Sequence, residues 1–477
     1  MIKKSPITVV YSITLVALLN TLAVCQCFDS ETLIVPAPEL DFGFGQSLSM
    51  SGDWLVVGIP LLPVDGNLCN GGAQFFKRNS SGQFELKQTI LAPFALSGGV
   101  VGAAARVAIS GDYAVLGRSG TYAFDFVPQR DIFLYQRTAT DEWTLIQTIT
   151  EPSNDGNCCF GFGFPVALDG DTLAVGNEVN NFSPGKIHIY KPNANGIWVS
   201  DGEICDVDVG FSMDIDGDRL IAGGIISTGA RVYKRVGDSN WQLEGGLSAS
   251  GLGNTQNVAI CGDTAVVAVA GVGRALIFEY EDSTGWTVAQ QDLFAGDSFT
   301  DTGPFGGAFG GLTAAYGWGG PGIAMEGDNL VICSSQETPS PGQRGTAYVY
   351  RRQDDGSWQE IEKKYGEDYP NDIYSGFGGA VSLQGNTLAI GYVTGVCPNV
   401  EDEPFGVPGV HIFESSSDCT GIQLGDVNGD GEVNLLDVAP FVSLLSDGGF
   451  QQEADINQDG MINLLDVAPF VDLLSGG

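Results

Sequence analysis

Two twelve-residue segments near the end of the chain carry regularly spaced oxygen-bearing side chains. Residues 426–437 read DVNGDGEVNLLD, and residues 455–466 read DINQDGMINLLD, 29 positions later. In both, Asp or Asn stands at the first, third and fifth positions, Gly at the sixth and Asp at the twelfth. This spacing wraps oxygen ligands around a hard cation such as Ca²⁺, with the glycine at the sharp bend. A single match would be weak evidence, but two in tandem predict a pair of calcium loops.

The predicted ligands in each loop are the side chains at positions 1, 3, 5, 9 and 12 and the main-chain carbonyl at position 7. The Asn at position 9 would bind the ion directly or through a water molecule. The predicted ligand residues are Asp426, Asn428, Asp430, Glu432, Asn434, Asp437, Asp455, Asn457, Asp459, Met461, Asn463 and Asp466.

Each loop leads into a nearly identical segment, NLLDVAPFVSLLS or NLLDVAPFVDLLS. Apolar residues recur there at helical spacing, so each segment is predicted to form a helix with one buried face. The predicted faces are Leu435, Val438, Phe441, Val442 and Leu445 in the first segment and Leu464, Val467, Phe470, Val471 and Leu474 in the second. Pro440 and Pro469 are expected within or just past the first helical turn, where a missing N–H costs least.

The overall composition excludes several classes of protein. The chain has 477 residues, of which 43% are hydrophobic, so a mostly disordered protein is excluded. Its 58 acidic and 21 basic residues give a formal charge of −37. This charge argues against binding to nucleic acid or to an anionic membrane, because both require basic surface.

Residues 1–27 are typical of a secretory signal peptide, with two lysines ahead of an apolar run from Ile7 to Val24. Polar residues interrupt this run, which favours a cleaved signal over a membrane anchor. Attachment of lipid at Cys25 is an alternative. We therefore expect a secreted or cell-surface protein with no transmembrane span in its mature chain.

Seven internal repeats organise the region between these ends. In each repeat, alternating apolar residues precede a Gly-Asp or Gly-Asn pair, and an apolar run follows it. The glycines of these pairs are Gly52, Gly111, Gly170, Gly217, Gly262, Gly327 and Gly385. A second hairpin pattern follows each pair, in which a strand rich in Tyr, Phe and Val meets a polar turn and then a strand bearing Trp or Phe. Four strands repeated seven times predict a seven-bladed β-propeller.

The ends of the predicted ring must also join. The seventh repeat ends in GVHIFESSSDCTG and has no evident Trp-bearing fourth strand. Residues near Thr32–Val35 have the apolar character of such a strand, so we predict that they complete the seventh blade.

The strand order also predicts which loops lie together. If the Gly-Asp turn joins the first two strands of a blade, the longest loops share the opposite face. These loops are 60–72, 118–130, 294–320 and 394–408. The third contains Phe305, Phe309, Tyr316 and Trp318, which suit the binding of a protein or glycan ligand. The alternative is that these aromatic side chains pack on the propeller itself.

The Phe-Gly pairs at 42–45, 160–164, 305–306 and 377–378 resemble those of FG-GAP repeats, which form the propellers of integrin α-chains and of many bacterial extracellular proteins. The resemblance covers about residues 30–415. Integrin-like propellers often hold calcium in long Asp/Asn loops within blades. Asp214, Asp216 and Asp218 come nearest to such a loop, but acids of a surface turn are the favoured interpretation.

The duplicated loop-helix unit, with Asp at the twelfth position, resembles a type I dockerin over about residues 421–477. The resemblance implies calcium-dependent binding to a cohesin-like or other surface protein. Where cellulosomal dockerins often carry polar recognition residues, this chain has leucines, which would either be core residues or contact a different partner. They are Leu435, Leu436, Leu464 and Leu465. A calcium-stabilised cap without any partner is the alternative.

The sequence contains no evident catalytic constellation. Its two histidines, His188 and His411, occupy matching strand positions, and no nucleophile-elbow, zinc-protease or nucleotide-binding motif occurs. We therefore expect a recognition, adhesion or assembly protein and not an enzyme. The alternative is a polysaccharide-degrading glycoside hydrolase or lyase, carried by a dockerin, with a carboxylate pair on the loop face.

The predicted organisation is a signal peptide at 1–27, an all-β seven-bladed propeller at 28–415, a linker at 416–424 and a dockerin-like domain at 425–477. The last is predicted to be a small α-helical domain with two EF-hand-type calcium loops. Ca²⁺ is the expected cofactor.

Overall fold

A computed structural model of the chain describes its strands, many of its turns and its two helices. The described residues are 27–35, 43–60, 62, 71–91, 103–118, 131–152, 162–163, 165–177, 185–206, 209, 212–224, 229–237, 239–248, 255–269, 274–294, 322–334, 343–353, 355–367, 376–393, 409–416, 425, 427–428, 433–447, 454, 456 and 462–474. The predicted signal peptide lies outside this part of the chain, apart from Cys27.

The described residues form a long series of strands followed by two short helices. The strands are β1 (Cys27–Ile34), β2 (Leu48–Ser51), β3 (Trp54–Ile59), β4 (Gly72–Arg78), β5 (Phe84–Leu91), β6 (Ala103–Ser110), β7 (Tyr113–Arg118), β8 (Asp131–Arg137), β9 (Trp143–Thr150), β10 (Val166–Asp169), β11 (Thr172–Asn177), β12 (Gly185–Pro192), β13 (Trp198–Asp206), β14 (Ser212–Asp216), β15 (Arg219–Gly223), β16 (Gly229–Arg235), β17 (Trp241–Ser248), β18 (Thr255–Cys261), β19 (Thr264–Val269), β20 (Arg274–Glu281), β21 (Gly285–Phe294), β22 (Ile323–Glu326), β23 (Asn329–Ser334), β24 (Gln343–Arg352), β25 (Trp358–Glu367), β26 (Gly376–Gln384), β27 (Thr387–Val393) and β28 (Gly409–Ser416). The helices are α1 (Val438–Asp447) and α2 (Leu464–Leu474).

The strands form seven antiparallel four-stranded sheets, which are the blades of a propeller. Blades one to six use consecutive strands, from β2–β5 through β22–β25. The first strand of each blade contacts the first strand of the next, and β26 contacts β2, so the ring is closed. The predicted seven-bladed β-propeller is confirmed.

The seventh blade has the order β26-β27-β28-β1, so its outer strand comes from the beginning of the described chain. Thr32 pairs with Ile412, Leu33 with His411 and Ile34 with Val410. The prediction that this segment completes the blade is confirmed, although the strand begins earlier, at Cys27. The aromatic residue of this outer strand is Phe28, which is fully buried. It lies ahead of the segment from which closure was predicted.

The Gly-Asp turns, or Gly-Asn in the seventh blade, join the first and second strands of every blade. All seven turn glycines have φ between +53° and +57°, which is the left-handed region that favours glycine. The following residue then aligns the third strand: the Asp53 carbonyl accepts a hydrogen bond from Arg78 N at 2.7 Å, and the Asp112 carbonyl accepts one from Arg137 N at 2.9 Å. The same short motif thus fixes both the turn and the register of the strand beyond it.

At the other end of the blades, glycines allow close approach between neighbours. A Cβ on Gly391 of blade seven would lie 2.0 Å from the carbonyl oxygen of Gly45 in blade one. A Cβ on Gly117 would likewise lie 2.3 Å from the Gly163 oxygen. Gly45 and Gly163 each belong to a Phe-Gly pair of the following blade. These pairs therefore lie where one blade packs against the next.

The outer strands are also linked between blades. Gln88 accepts a hydrogen bond from Trp143 N at 2.8 Å and donates one to the Trp143 carbonyl at 2.9 Å. Gln147 makes the same two bonds to Trp198 in the following blade, at 2.9 and 2.7 Å. At the closing blade, Glu362 accepts a hydrogen bond from Phe28 N at 3.1 Å. A side chain thus supplies the hydrogen bonds that a neighbouring strand would otherwise provide.

The C-terminal unit is built around the two helices. Its buried apolar residues, among those that the structure describes, are Val427, Phe441, Ala454, Ile456 and Phe470. The rings of Phe441 and Phe470 stack with centroids 4.1 Å apart. Val438 and Leu445 pack against this cluster, as do Val467 and Leu474.

The predicted buried faces of these helices are partly wrong. Leu435 and Val442 are 79% and 54% exposed, and Leu464 and Val471 are 82% and 54% exposed. The core uses the positions around each Phe at i−3 and i+4, so the remaining apolar residues fall on a different side of the helix. Pro440 lies in the first turn of α1, as predicted, and Pro469 is the sixth residue of α2.

Candidate calcium centre and loop face

The twelfth residue of each predicted calcium loop is a fully buried carboxylate at a helix start. Asp437 accepts hydrogen bonds from Asn428 N at 2.9 Å and from Asn434 N at 2.8 Å. Asp466 accepts one from Asn463 N at 2.9 Å. Each carboxylate therefore braces its own loop through main-chain amides. A carboxylate oxygen that accepts one hydrogen bond still has a lone pair with which to bind a cation.

The ninth residue of each loop caps the adjoining turn. Asn434 accepts a hydrogen bond from Leu436 N, and Asn463 accepts one from Leu465 N, both at 2.8 Å. This is the local hydrogen bonding for which Asn is favoured ahead of a helix. The other predicted ligands, apart from Asn428, lie outside the described residues. They are Asp426, Asp430, Glu432, Asp455, Asn457, Asp459 and Met461.

The charge of this unit fits a divalent cation. Residues 425–477 contain ten acidic side chains and no Lys, Arg or His. The buried charge of Asp437 therefore has no basic side chain within the unit to balance it. Burying a carboxylate is costly unless it is paired or binds a metal. Oxygen ligands of this kind suit Ca²⁺, which Asp437 and Asp466 would hold together with the earlier loop positions.

Within the part of the chain that the structure describes, no group of three or more His, Cys, Asp or Glu side chains could hold a metal ion. Seven of the twelve predicted ligands lie outside that part. The calcium loops therefore remain a prediction that the described geometry at Asp437 and Asp466 supports.

The helices carry exposed apolar residues that the sequence interpretation did not separate from the core. Leu464, Ala468 and Val471 lie at positions i, i+4 and i+7 of α2 and are all exposed. The first repeat presents its equivalents in the same way. We call these two sets the apolar stripes; with the adjoining leucines they comprise Leu435, Leu436, Ala439 and Val442, and Leu464, Leu465, Ala468 and Val471. The sequence contained a signal for this division, because each segment has more apolar residues than one buried helical face can hold.

The propeller has one end at which its longest loops attach. Since strands follow one another in each sheet, connections from second to third strands and from one blade to the next lie opposite the Gly-Asp turns. The predicted loops 60–72, 118–130, 294–320 and 394–408 join strands at this loop face. Their central parts lie outside the described residues, as do Phe305, Phe309, Tyr316 and Trp318.

Two of the three acids nearest to an integrin-like calcium loop contact the next blade. Asp214 accepts hydrogen bonds from Ile215 N and from Ile260 N of the next blade, both at 2.9 Å. Asp216 accepts one from Gly262 N, also in the next blade, at 2.6 Å. Burial raises the pKa of Asp214 to about 6, with the charges of Asp216 and Asp169 adding to the effect. Asp218 belongs to the Gly-Asp turn, and its carbonyl accepts a hydrogen bond from Arg235 N.

The two histidines have matching surroundings in blades three and seven. His188 Nδ1 lies 3.7 Å from Glu203, and His411 Nδ1 lies 2.5 Å from Glu31. Each ring also meets the edge or face of a Phe from a Phe-Gly pair, with centroids 5.6 Å and 5.1 Å apart, respectively. Burial lowers the pKa of His188. The equivalence predicted from their positions is therefore seen in their contacts as well.

Among the described residues, neither helix is long and apolar enough to cross a bilayer.

Comparison with protein families identifies the C-terminal unit. Residues 424–469 match the model of the Dockerin type I domain. This match includes both predicted calcium loops and the starts of both helices. No curated protein matches the chain.

Solved structures with a similar fold are other propellers. The WD40 domain of Toxoplasma gondii coronin is 9% identical, with 83% of this chain and 86% of that chain covered and a TM-score of 0.48. A putative 6-phosphogluconolactonase from Bacteroides uniformis is 11% identical, with 71% and 93% covered and a TM-score of 0.45. The periplasmic gluconolactonase of Pseudomonas aeruginosa is 10% identical, with 80% and 99% covered and a TM-score of 0.43.

These comparisons correct the expectation that the chain is not an enzyme. Propellers described as a gluconolactonase or as putative 6-phosphogluconolactonases occur among the structures that resemble it. At such low identity the resemblance concerns the fold alone and carries neither a substrate nor a catalytic residue to this chain.

Proposed function

We propose that this chain is an exported calcium-dependent docking protein. Its C-terminal unit attaches it to a cohesin-like or other surface protein, and its propeller binds a protein or glycan ligand through the loop face. The observation that carries the docking half is the match of residues 424–469 to the Dockerin type I domain. The buried, loop-bracing carboxylates of Asp437 and Asp466 support the requirement for calcium.

Export rests on the predicted signal peptide at 1–27 and on the occurrence of dockerin domains in extracellular and cell-surface proteins. The FG-GAP character of the blades is also part of this proposal. Gly45 and Gly163 pack closely against neighbouring blades, so the glycine of these Phe-Gly pairs contributes to the packing between blades. This supports the FG-GAP character of the repeats.

The ligand-binding half rests on topology. The long loops attach to strands of several blades at one end of the ring. Loops held on a rigid scaffold are common binding surfaces.

The docking function is tested with the full chain and a panel of immobilised cohesin domains, in calcium and after chelation. A variant carrying Asp437→Asn and Asp466→Asn removes the two buried charges at nearly constant side-chain size. We expect binding only in calcium, and a loss of at least about tenfold in affinity in the variant. Asp53→Asn, at an exposed turn of the propeller, is the control and should bind normally. Equal binding by the native chain with and without calcium would contradict the proposal.

A further inference from the structure

The side chain that holds the closing strand differs in charge from its equivalents in two other blades. Gln88 and Gln147 each follow the register shift of an outer strand, and each bonds to both the N–H and the C=O of a tryptophan in the next blade. Glu362 has the same position in β25, and it accepts a hydrogen bond from Phe28 N at 3.1 Å. A carboxylate accepts but does not donate, so a charged group replaces the neutral amide at this junction.

This charged group lies in a largely apolar environment. The side chain of Glu362 is 10% exposed, and its other carboxylate oxygen pairs with Lys364. Phe28 is fully buried, in an apolar cluster that draws on blades six and seven. Burying a carboxylate is costly unless its charge is balanced and its oxygens are hydrogen-bonded. The Phe28 nitrogen meets the second of these needs on the oxygen that Lys364 does not use.

Another buried carboxylate in the propeller pairs with two cations at once. The side chain of Glu244 is 8% exposed, and it pairs with Arg219 at 2.8 Å and with Lys234 at 3.4 Å. At Glu362, one cation occupies one oxygen, and the Phe28 nitrogen lies where the second cation would be. The same arrangement would therefore be complete at Glu362 if that nitrogen carried a positive charge.

Removal of the predicted signal peptide would give the nitrogen this charge. Because that peptide ends at residue 27, its removal makes Phe28 the first residue of the mature chain. Cys25 and Cys27 form the small-x-small pattern of a cleavage site ahead of this bond, and Ala23 and Cys25 form the same pattern ahead of Gln26. Hydrolysis of the Cys27–Phe28 bond consumes one water molecule and leaves a carboxylate on Cys27 and an ammonium group on Phe28.

Cleavage at this bond removes little of the closing strand. Within β1, Cys27 is the one residue ahead of Phe28, and it pairs with Ser416 across an irregularity in the register. The continuous pairing from Ser30 to Ile34 is left in place. The buried ring and the main part of the strand therefore both remain in the mature chain.

We propose that removal of the signal peptide at this bond creates an ion pair that closes the ring, between the ammonium group of Phe28 and the carboxylate of Glu362. The inference rests on the proposed export of the chain. Before cleavage the nitrogen is a neutral amide, and the strand is still attached to its signal peptide. After cleavage, Phe28 contributes both a buried ring and a buried charge where blades six and seven meet. Closure of the propeller is thereby strengthened once the chain has been exported.

The first test identifies the mature N-terminus. The full chain is produced with its own signal peptide in a secreting host, and the exported protein is analysed by intact mass and N-terminal sequencing. We expect a chain that begins at Phe28 with a free amino group. An exported chain that begins at Gln26, or that carries lipid on Cys25, contradicts the inference and leaves export intact. A chain that stays uncleaved inside the cell contradicts both.

The second test measures the charge pair. Two chains are prepared with a removable tag, one that begins at Phe28 and one that begins at Gln26, in which the Phe28 nitrogen is an amide. Glu362→Gln should lower the equilibrium constant for folding in both, because Lys364 loses its partner. We expect the loss to be at least about tenfold greater in the chain that begins at Phe28, since only there does the variant leave a buried ammonium group without its carboxylate.

Denaturant unfolding of the four proteins gives these constants. The matched control is Glu360→Gln, which removes another carboxylate of β25, one that pairs with Lys363 at 3.4 Å. This control should affect the two chains equally. Equal losses from Glu362→Gln in the two chains would show that the carboxylate gains nothing from a charged partner, and they would overturn the inference.

Discussion

Side chains on the innermost strands hold neighbouring blades together by accepting hydrogen bonds from main-chain amides. Ser49 accepts one from Ile109 N at 3.3 Å, and Ser382 accepts one from Met50 N at 3.1 Å. Asp214 occupies the equivalent position in blade four, three residues ahead of its turn glycine. This position requires a hydrogen-bond acceptor, which is a serine hydroxyl in the other two blades. The negative charge of Asp214 is not needed for the contact.

We predict that Asp214→Ser reduces the pH dependence of stability. The pKa of Asp214 is raised from an ordinary value of 3.8 to about 6, so the folded state disfavours the ionised form. The stability that the protonated carboxyl of Asp214 contributes to the folded state is therefore fully present below about pH 4 and is lost as the pH rises through about 6. The loss is on the order of 3 kcal/mol, and serine, which does not ionise, would not suffer it.

The measurement is the denaturant midpoint at several pH values between 4 and 8 for the native chain, Asp214→Ser and the exposed control Asp53→Ser. The native chain and the control should lose stability more steeply with rising pH than Asp214→Ser does. Parallel profiles for all three proteins would refute the prediction.

At the scale of elements, the ring depends on a strand from the beginning of the described chain. β1 pairs with β28 and so closes the seventh blade. Phe28 packs in the cluster that contains Val331, Phe377 and Phe413. Its main-chain amide is held by Glu362 of the sixth blade. Phe28 thus links the sixth and seventh blades, although it lies near the beginning of the described chain and far from both blades in sequence.

We predict that Phe28→Ala destabilises the propeller by about 3–5 kcal/mol, because it removes a fully buried ring and leaves a cavity. Leu33→Ala lies on the same strand but at a side chain that is 48% exposed. This control should cost no more than about 0.5 kcal/mol. Denaturant unfolding of the two variants and the native chain measures both changes. Similar losses in the two variants would show that strand pairing, and not the buried ring, anchors β1.

At the scale of the whole molecule, the apolar clusters that the described residues form in the propeller and in the C-terminal unit have no member in common. The cluster around Phe441 and Phe470 draws all its residues from 427–474, and the others draw theirs from 28–413. Residues that share a core unfold together, so separate cores favour separate transitions.

We therefore predict two thermal transitions for the full chain, of which only the smaller responds to calcium. Ligand that binds the folded state alone stabilises it, by about 2.7 kcal/mol per site at one hundred times Kd. Chelation should lower the temperature of the small transition and leave the large one in place.

Differential scanning calorimetry measures both transitions in calcium and in chelator. The variant with Asp437→Asn and Asp466→Asn should behave in calcium as the native chain does in chelator. A propeller transition that falls by as much as the small one on chelation would show that the blades also bind the ion.

Features set by neighbouring residues could be predicted from the sequence. The seven turn glycines require a left-handed φ whatever surrounds them, so their spacing revealed seven blades. The tandem loop pattern revealed the dockerin-like unit for the same reason, since its carboxylates bind to amides within their own loop. In both cases the interacting groups are only a few residues apart.

Features set by packing between distant segments were decided by the tertiary structure. Phe28 has no partner nearby in sequence, and its role as the closing aromatic depends on residues more than three hundred positions away. Leu435 and Leu464 are as apolar as their buried neighbours, and only the stacking of Phe441 on Phe470 decides which side of each helix faces inwards. The residue type shows that a side chain is apolar, but whether it is buried depends on which parts of the folded chain pack against it.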